Sequence, residues 1–87
     1  VEFQYDDKKS HINARKHGID FERAKLLWTD ERRLVVPARS STEAREALIA
    51  SPDDVCWTAI HTLRGSAIRI ISVRRSRHEE IENYHYS

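Results

Sequence analysis

Hydrophobic positions recur with two different periods along this chain, and the change of period divides it. Phe21, Ala24, Leu27 and Trp28 fall at helical spacing and make one apolar stripe. Asp20 stands just ahead of them, where a carboxylate can accept the free amide hydrogens of a first turn. A helix is therefore predicted from there to about Thr29. An earlier helix is predicted over Asp7 to His17, with Asp6 or Asp7 as its cap. Lys16 and His17 would sit in its last turn, opposing the carbonyl end of the dipole, and Gly18 would supply the left-handed stop. Residues 2–5 read as a short opening strand.

Beyond Thr29 the signals are those of strands. Arg33 to Pro37 is a β-prone run that Pro37 ends or confines to a sheet edge. Residues 38–43 are polar and loop-like. Arg45 to Ala50 contains good helix formers, yet it is short and lies between strand candidates, and it is read as a strand. Ser51-Pro52-Asp53-Asp54 is a turn. Val55 to Thr62 is rich in β-branched and aromatic residues. Gly65-Ser66 marks a hairpin turn, and Ala67 to Arg74 is the clearest strand. Ser76 and Glu79 have capping-box spacing, which starts a last helix running to about His85 with Ile81 and Tyr84 on its inner face. Short connections imply antiparallel neighbours. The prediction is an α+β fold, with two N-terminal helices packed on an antiparallel sheet and a C-terminal helix.

Size narrows what such a fold can do. With 87 residues the chain is one domain, spanning 1–87. It can bury somewhat over ~60% of its unfolded surface, enough for a modest core and a surface groove but not for an enclosed cavity. Cys56 is the single cysteine, so no internal disulfide forms; it reads as a small core hydrophobe, consistent with a reducing compartment. No apolar run approaches the ~20 residues of a membrane span, and the N-terminus has no signal pattern. A cytoplasmic location with no membrane contact is expected.

The net charge of +1 says little, but its distribution says more. Between His61 and His78 there is no acidic residue, while Arg64, Arg69, Arg74, Arg75 and Arg77 all fall there. Lys8 to Lys25 is also basic. One basic face would suit a polyanion; a solvated, charge-mixed surface is the plainer reading of charge alone. The five histidines show no metal-ligand spacing, and no metal or other cofactor is expected. There is no phosphate-binding glycine-rich loop and no Gly-x-Ser-x-Gly elbow, which removes nucleotide hydrolases and most other hydrolase classes.

Arginine on strands remains. Strict alternation puts Arg69, Ile71 and Val73 on one face and Ile68, Ile70, Ser72 and Arg74 on the other. Two or three guanidiniums over a sheet would bind phosphates bidentately and stabilise a five-coordinate phosphate transition state. For Arg69 the alternative is an ion pair with Glu43, Glu46 or a carboxylate of the last helix. His61 has the chemistry of a general base near neutral pH; a strand-end histidine that hydrogen-bonds locally is the competing account. Tyr84 could stack on a base or fill a core or interface position.

At this point an ordered set of residues resembles the BrnT toxins. Lys16-His17-Gly18, Phe21 and Ala24 follow the family's pattern. So do Tyr5-Asp6, Lys9 and Asn13 ahead of them, and Glu43-x-Arg45, Thr62-x-Arg64-Gly65 and Ile68-Arg69-Ile70-Ile71-Ser72-x-Arg74 behind. Glu79 or Glu80 and Tyr84 fit its last helix. Tyr5, Asp7, Trp28, Ala50 and Leu63 depart from the pattern; Leu63 stands where an acidic residue is frequent. The resemblance implies a RelE-like fold and a metal-independent endoribonuclease that arrests translation. It also implies a BrnA-like antitoxin that neutralises the toxin and carries it, within a complex, onto operator DNA. The residues assigned on this reading are Arg64, Arg69 and Arg74 as phosphate and transition-state contacts and His61 as proton carrier. Lys9, Lys16, Arg75 and Arg77 would guide the RNA backbone, and Tyr84 would contact RNA. One rival is an inactive member of the same fold that only binds an antitoxin. Another is a DNA-binding regulator, against which the lack of a helix-turn-helix pattern counts.

Overall fold

In the computed structural model, which describes residues 1–39 and 42–87, the first helix forms where its caps place it. Helix α1 spans Asp7–His17. Asp6 is its cap, and its Oδ1 accepts from the amides of Lys8 (2.8 Å) and Lys9 (3.1 Å). Gly18 ends it at φ 81, a left-handed conformation that an L side chain would resist. Asp20 caps the second helix by accepting from the Arg23 amide at 2.7 Å. That helix, α2, covers only Phe21–Ala24 and continues as a 3₁₀ helix over Lys25–Thr29. The tighter winding is closed by the Thr29 hydroxyl, which donates to the Leu26 carbonyl at 2.6 Å.

Five strands follow the predicted places closely: β1 Glu2–Gln4, β2 Leu34–Ala38, β3 Arg45–Ala50, β4 Trp57–Arg64 and β5 Ala67–Arg75. The predicted loop 38–43 includes residues 40 and 41, which lie outside the described residues. The sheet order is β1-β5-β4-β3-β2. The sheet is mixed, not wholly antiparallel as expected, because β1 runs parallel to β5. Short links dictate antiparallel pairing only for strands adjacent in sequence. β1 is separated from β5 by most of the chain, so the rule does not reach it.

The helices cover one face. Ile19, Phe21, Ala24 and Leu27 bury against Leu48, Trp57, Ile70 and Val73 of the sheet. Asn13 joins α1 to the β5 edge. Its amide donates to the Val73 carbonyl (2.8 Å) and to the Ile19 carbonyl (2.8 Å), and its Oδ1 accepts from the Val73 amide (3.1 Å). One buried side chain thus does for Val73 what a neighbouring strand would do.

The last helix, α3, spans His78–His85 and lies against β3. Its cap is one residue later than the sequence suggested. Glu80, not Glu79, reaches back to accept from the Arg77 amide at 2.7 Å. The Ser76 hydroxyl lies 2.8 Å from the Thr58 hydroxyl instead. None of α3's residues is fully buried. Among the described residues, no helix is long and apolar enough to cross a membrane.

Candidate active site

The site begins with an irregularity between β4 and β5. Ile60 pairs with Ser72, but the next residue of β4, His61, pairs with Ile70. Ile71 is therefore an extra residue in β5, a bulge. Residues directly opposite in an antiparallel pair share a face. On β4, Thr58, Ile60, Thr62 and Arg64 alternate onto one face. Their register partners on β5 are Arg74, Ser72, Arg69 and Ala67. Arg69 and Arg74, which strict alternation would put on opposite faces, thus share the face turned away from α1 and α2. Arg64 belongs to the same face. The sequence reading of the β5 faces is corrected by the bulge.

This face holds an open groove of about 420 Å³, whose polar boundary is Arg39, Arg45, Ser72, Arg74, Arg77 and Glu80. Its floor is apolar, with Ala47 and Ile60. Arg39 and Arg45 were not assigned from sequence. For Arg45 the signal was available: on β3 it alternates with Ala47, which pairs with Ile60. For Arg39 no pattern marked it.

The charges are handled differently at the two ends. Arg74 makes a two-pronged pair with Glu80, Nη1 to Oε1 at 2.7 Å and Nη2 to Oε2 at 3.0 Å. Burial opposes ionisation of Glu80, but the Arg74 guanidinium, the Arg77 amide and the Thr58 hydroxyl outweigh it and push its pKa down to about 2. At the other end Glu43 meets Arg45 at 3.5 Å and Arg64 at 3.6 Å, with the Arg64 side chain half exposed. The Arg45 Nε is buried with no hydrogen-bond partner among the described residues. The side chain of Arg69 has no hydrogen bond or ion pair among the described residues, and the carboxylates proposed as its partners are engaged elsewhere: Glu43 with Arg45 and Arg64, Glu46 with His61, Glu80 with Arg74. Arg69 does lie close enough to Asp6 to help hold that carboxyl below its usual range, behind the larger effect of the Lys9 amide.

The other assigned residues are not gathered here, except Arg77, which borders the groove. His61 shares the face of Ile70 and is 2% exposed. Its ring packs edge-on against Trp28 at 5.1 Å, Nε2 lies 3.1 Å from Glu46 Oε1, and Nδ1 lies 3.3 Å from the Ala59 carbonyl. Bulk and alternation put it under the helices, so the structure does not bring it to the arginines. Arg75 is on the same side as Trp57, with its guanidinium 5.8 Å from that ring. Lys9 and Lys16 are exposed on α1. The Tyr84 hydroxyl donates to Asp30 Oδ2 at 2.6 Å, which ties α3 to the end of the 3₁₀ helix. Leu63 is 60% exposed and alternates onto His61's side, not onto the arginine face.

A face with several guanidiniums and a shallow apolar floor can hold phosphates and neutralise added negative charge. No curated protein matches the chain. Residues 5–80 match the family model described as the ribonuclease toxin BrnT of type II toxin–antitoxin systems. With most of its length matched in one piece, the chain belongs to the BrnT family of ribonuclease toxins.

Proposed function

We propose that the arginine face is the ribonuclease site and that it cuts RNA without a metal. The observation that supports this most is the bulge at Ile71, which brings Arg69 onto the same sheet face as Arg74 and Arg64; Arg74 lines the groove, and Arg64 and Arg69 stand on that face beyond its lining. In the proposed reaction the ribose 2′-oxygen attacks the adjacent phosphorus and the bond to the 5′-oxygen breaks. The 2′-hydroxyl proton leaves to solvent and the 5′-oxygen gains one from it. The products are a 2′,3′-cyclic phosphate and a 5′-hydroxyl. Arginines holding the two non-bridging oxygens supply charge neutralisation and alignment, the two contributions this reaction most needs. Two helices on one sheet face, with α3 over one end of the opposite face and a groove beside it, support a RelE-like arrangement. In this reading the toxin acts in the cytoplasm, inhibits translation, and is neutralised by a BrnA-like antitoxin that carries it to operator DNA.

A second reading keeps the fold and drops the chemistry. The carboxylates on this face, Glu43 and Glu80, are engaged by arginines, and His61 lies on the other side. A protein with no ready base there would act only by binding its antitoxin. Leu63, which stands where the family often has an acidic residue, does not decide between the readings, since a carboxylate there would alternate onto the face away from the arginines.

Structured RNA incubated with the protein in excess EDTA separates the two. Cleavage with cyclic phosphate ends, slowed about a hundredfold by Arg64→Ala, supports the ribonuclease site. Intact RNA beside tight binding to a BrnA-like antitoxin supports the binding module.

A further inference from the structure

The groups around Glu80 can be counted proton by proton. A guanidinium carries five N–H bonds. On Arg74, Nη1 gives one to Glu80 Oε1 (2.7 Å) and one to the Arg75 carbonyl (3.3 Å). Nη2 gives one to Glu80 Oε2 (3.0 Å). The two that remain, on Nε and Nη2, have no partner among the described residues. They are adjacent and parallel, and together they form the side-on edge of the guanidinium. That edge is a complete two-pronged donor for an oxyanion.

The carboxylate that takes the other edge is itself held from three elements. Glu80 Oε1 accepts from the Arg77 amide at the start of α3 (2.7 Å) and from the Thr58 hydroxyl of β4 (3.1 Å), besides Arg74 of β5. Thr58 is fully buried, and with its proton committed to Glu80 the Ser76 hydroxyl can donate to it. A free arginine side chain is long and rotates about several bonds, so fixing it costs entropy. Here that ordering has been done before any ligand arrives.

We infer that Glu80 is a positioning residue: it clamps one edge of Arg74 and so holds the other edge ready for an RNA phosphate in the groove. The inference rests on the ribonuclease reading for the identity of the ligand, and on geometry alone for the clamp. Glu80 acts through Arg74 and touches no reacting atom.

The test is a titration with inorganic phosphate, followed on the Arg74 Nε–H resonance by ¹⁵N NMR, in wild type, Glu80→Gln and Thr58→Val. Thr58→Val loosens the carboxylate without changing charge and serves if Glu80→Gln folds poorly. Phosphate is expected to shift the Nε–H signal in wild type, with the dissociation constant raised about tenfold in Glu80→Gln and less in Thr58→Val. RNA cleavage by Glu80→Gln is expected to fall by a similar factor, and Glu80→Gln added to Arg74→Lys is expected to cause no further fall, since the two act as one unit. An unmoved Nε–H signal overturns the inference. So does a loss confined to melting temperature, which would make Glu80 a helix cap only. Tighter phosphate binding in Glu80→Gln also overturns it, because the carboxylate would then be a competitor for the site. A phosphate response as expected with no RNA cleavage upholds the clamp and removes the ribonuclease reading.

Discussion

Strands β4 and β5 present two faces made from interleaved residues, and the faces treat polar groups in opposite ways. Under the helices, polar groups are few and nearly sealed. His61 has an acceptor near each ring nitrogen, and Asn13 uses its whole amide on backbone groups. On the open face, guanidiniums stand around an apolar floor with their carboxylates at the margins. One side spends its polar chemistry on holding the fold together; the other keeps donors in reserve. The comparison predicts that damage to one face shows as lost stability and damage to the other as lost cleavage.

The largest effect expected is on the helix face. Phe21 is fully buried, and Phe21→Ala should cost about 3–5 kcal/mol by urea unfolding, with cleavage per folded molecule unchanged. On the open face, Arg69→Ala should slow RNA cleavage by about a hundredfold, close to 2.7 kcal/mol, while unfolding shifts by no more than ~0.5 kcal/mol. A large loss of stability there would break the division.

The third prediction concerns the one place where the open face also holds the fold. Glu80 titrates near 2 in the folded protein against an ordinary value of 4.5. The folded state therefore binds fewer protons than the unfolded state over that interval. The stabilisation is complete above the higher value and is lost as pH falls toward the lower. About 2 kcal/mol is at stake after allowance for partial solvent screening. Thermal melts of wild type should fall between those pH values, and Glu80→Gln should flatten that part of the curve. The smallest effect, about 1–2 kcal/mol in stability, is expected for His61→Gln, which leaves one of the two ring contacts unmade. Its cleavage rate per folded molecule should match wild type. A selective loss of rate would return His61 to the chemistry and erase the contrast between the faces.

Much of this was legible in the sequence. The caps at Asp6, Gly18 and Asp20 and the hairpin at Gly65 are local, and local chemistry shows in local sequence; the strand at Arg45 to Ala50 was legible only from its length and its place between other strands, against its helix-forming residues. Family resemblance carried the functional class. The arrangement of the site was less legible, because one inserted residue changes every face beyond it. Nothing about Ile71 as a residue marks it as extra; the register with β4 does, and register is not a local property. The separation of His61 from the arginines was not legible either, since the face it takes depends on which side the helices cover. The last cap sits one residue later than spacing alone would put it, on Arg77 and Glu80, and the Ser76 hydroxyl lies against Thr58 of a distant strand, which local sequence does not show.

Asn13 has a consequence for life in a crowded solution. A sheet with bare margins invites other chains to add to it. Past the end of β1, the Val73 backbone is already occupied by the Asn13 amide. At the opposite margin, β2 contains Pro37, which has no amide proton to offer an incoming strand. Each border of the sheet therefore carries a small obstacle to stacking against its own copies, which favours a protein that stays dispersed while it accumulates.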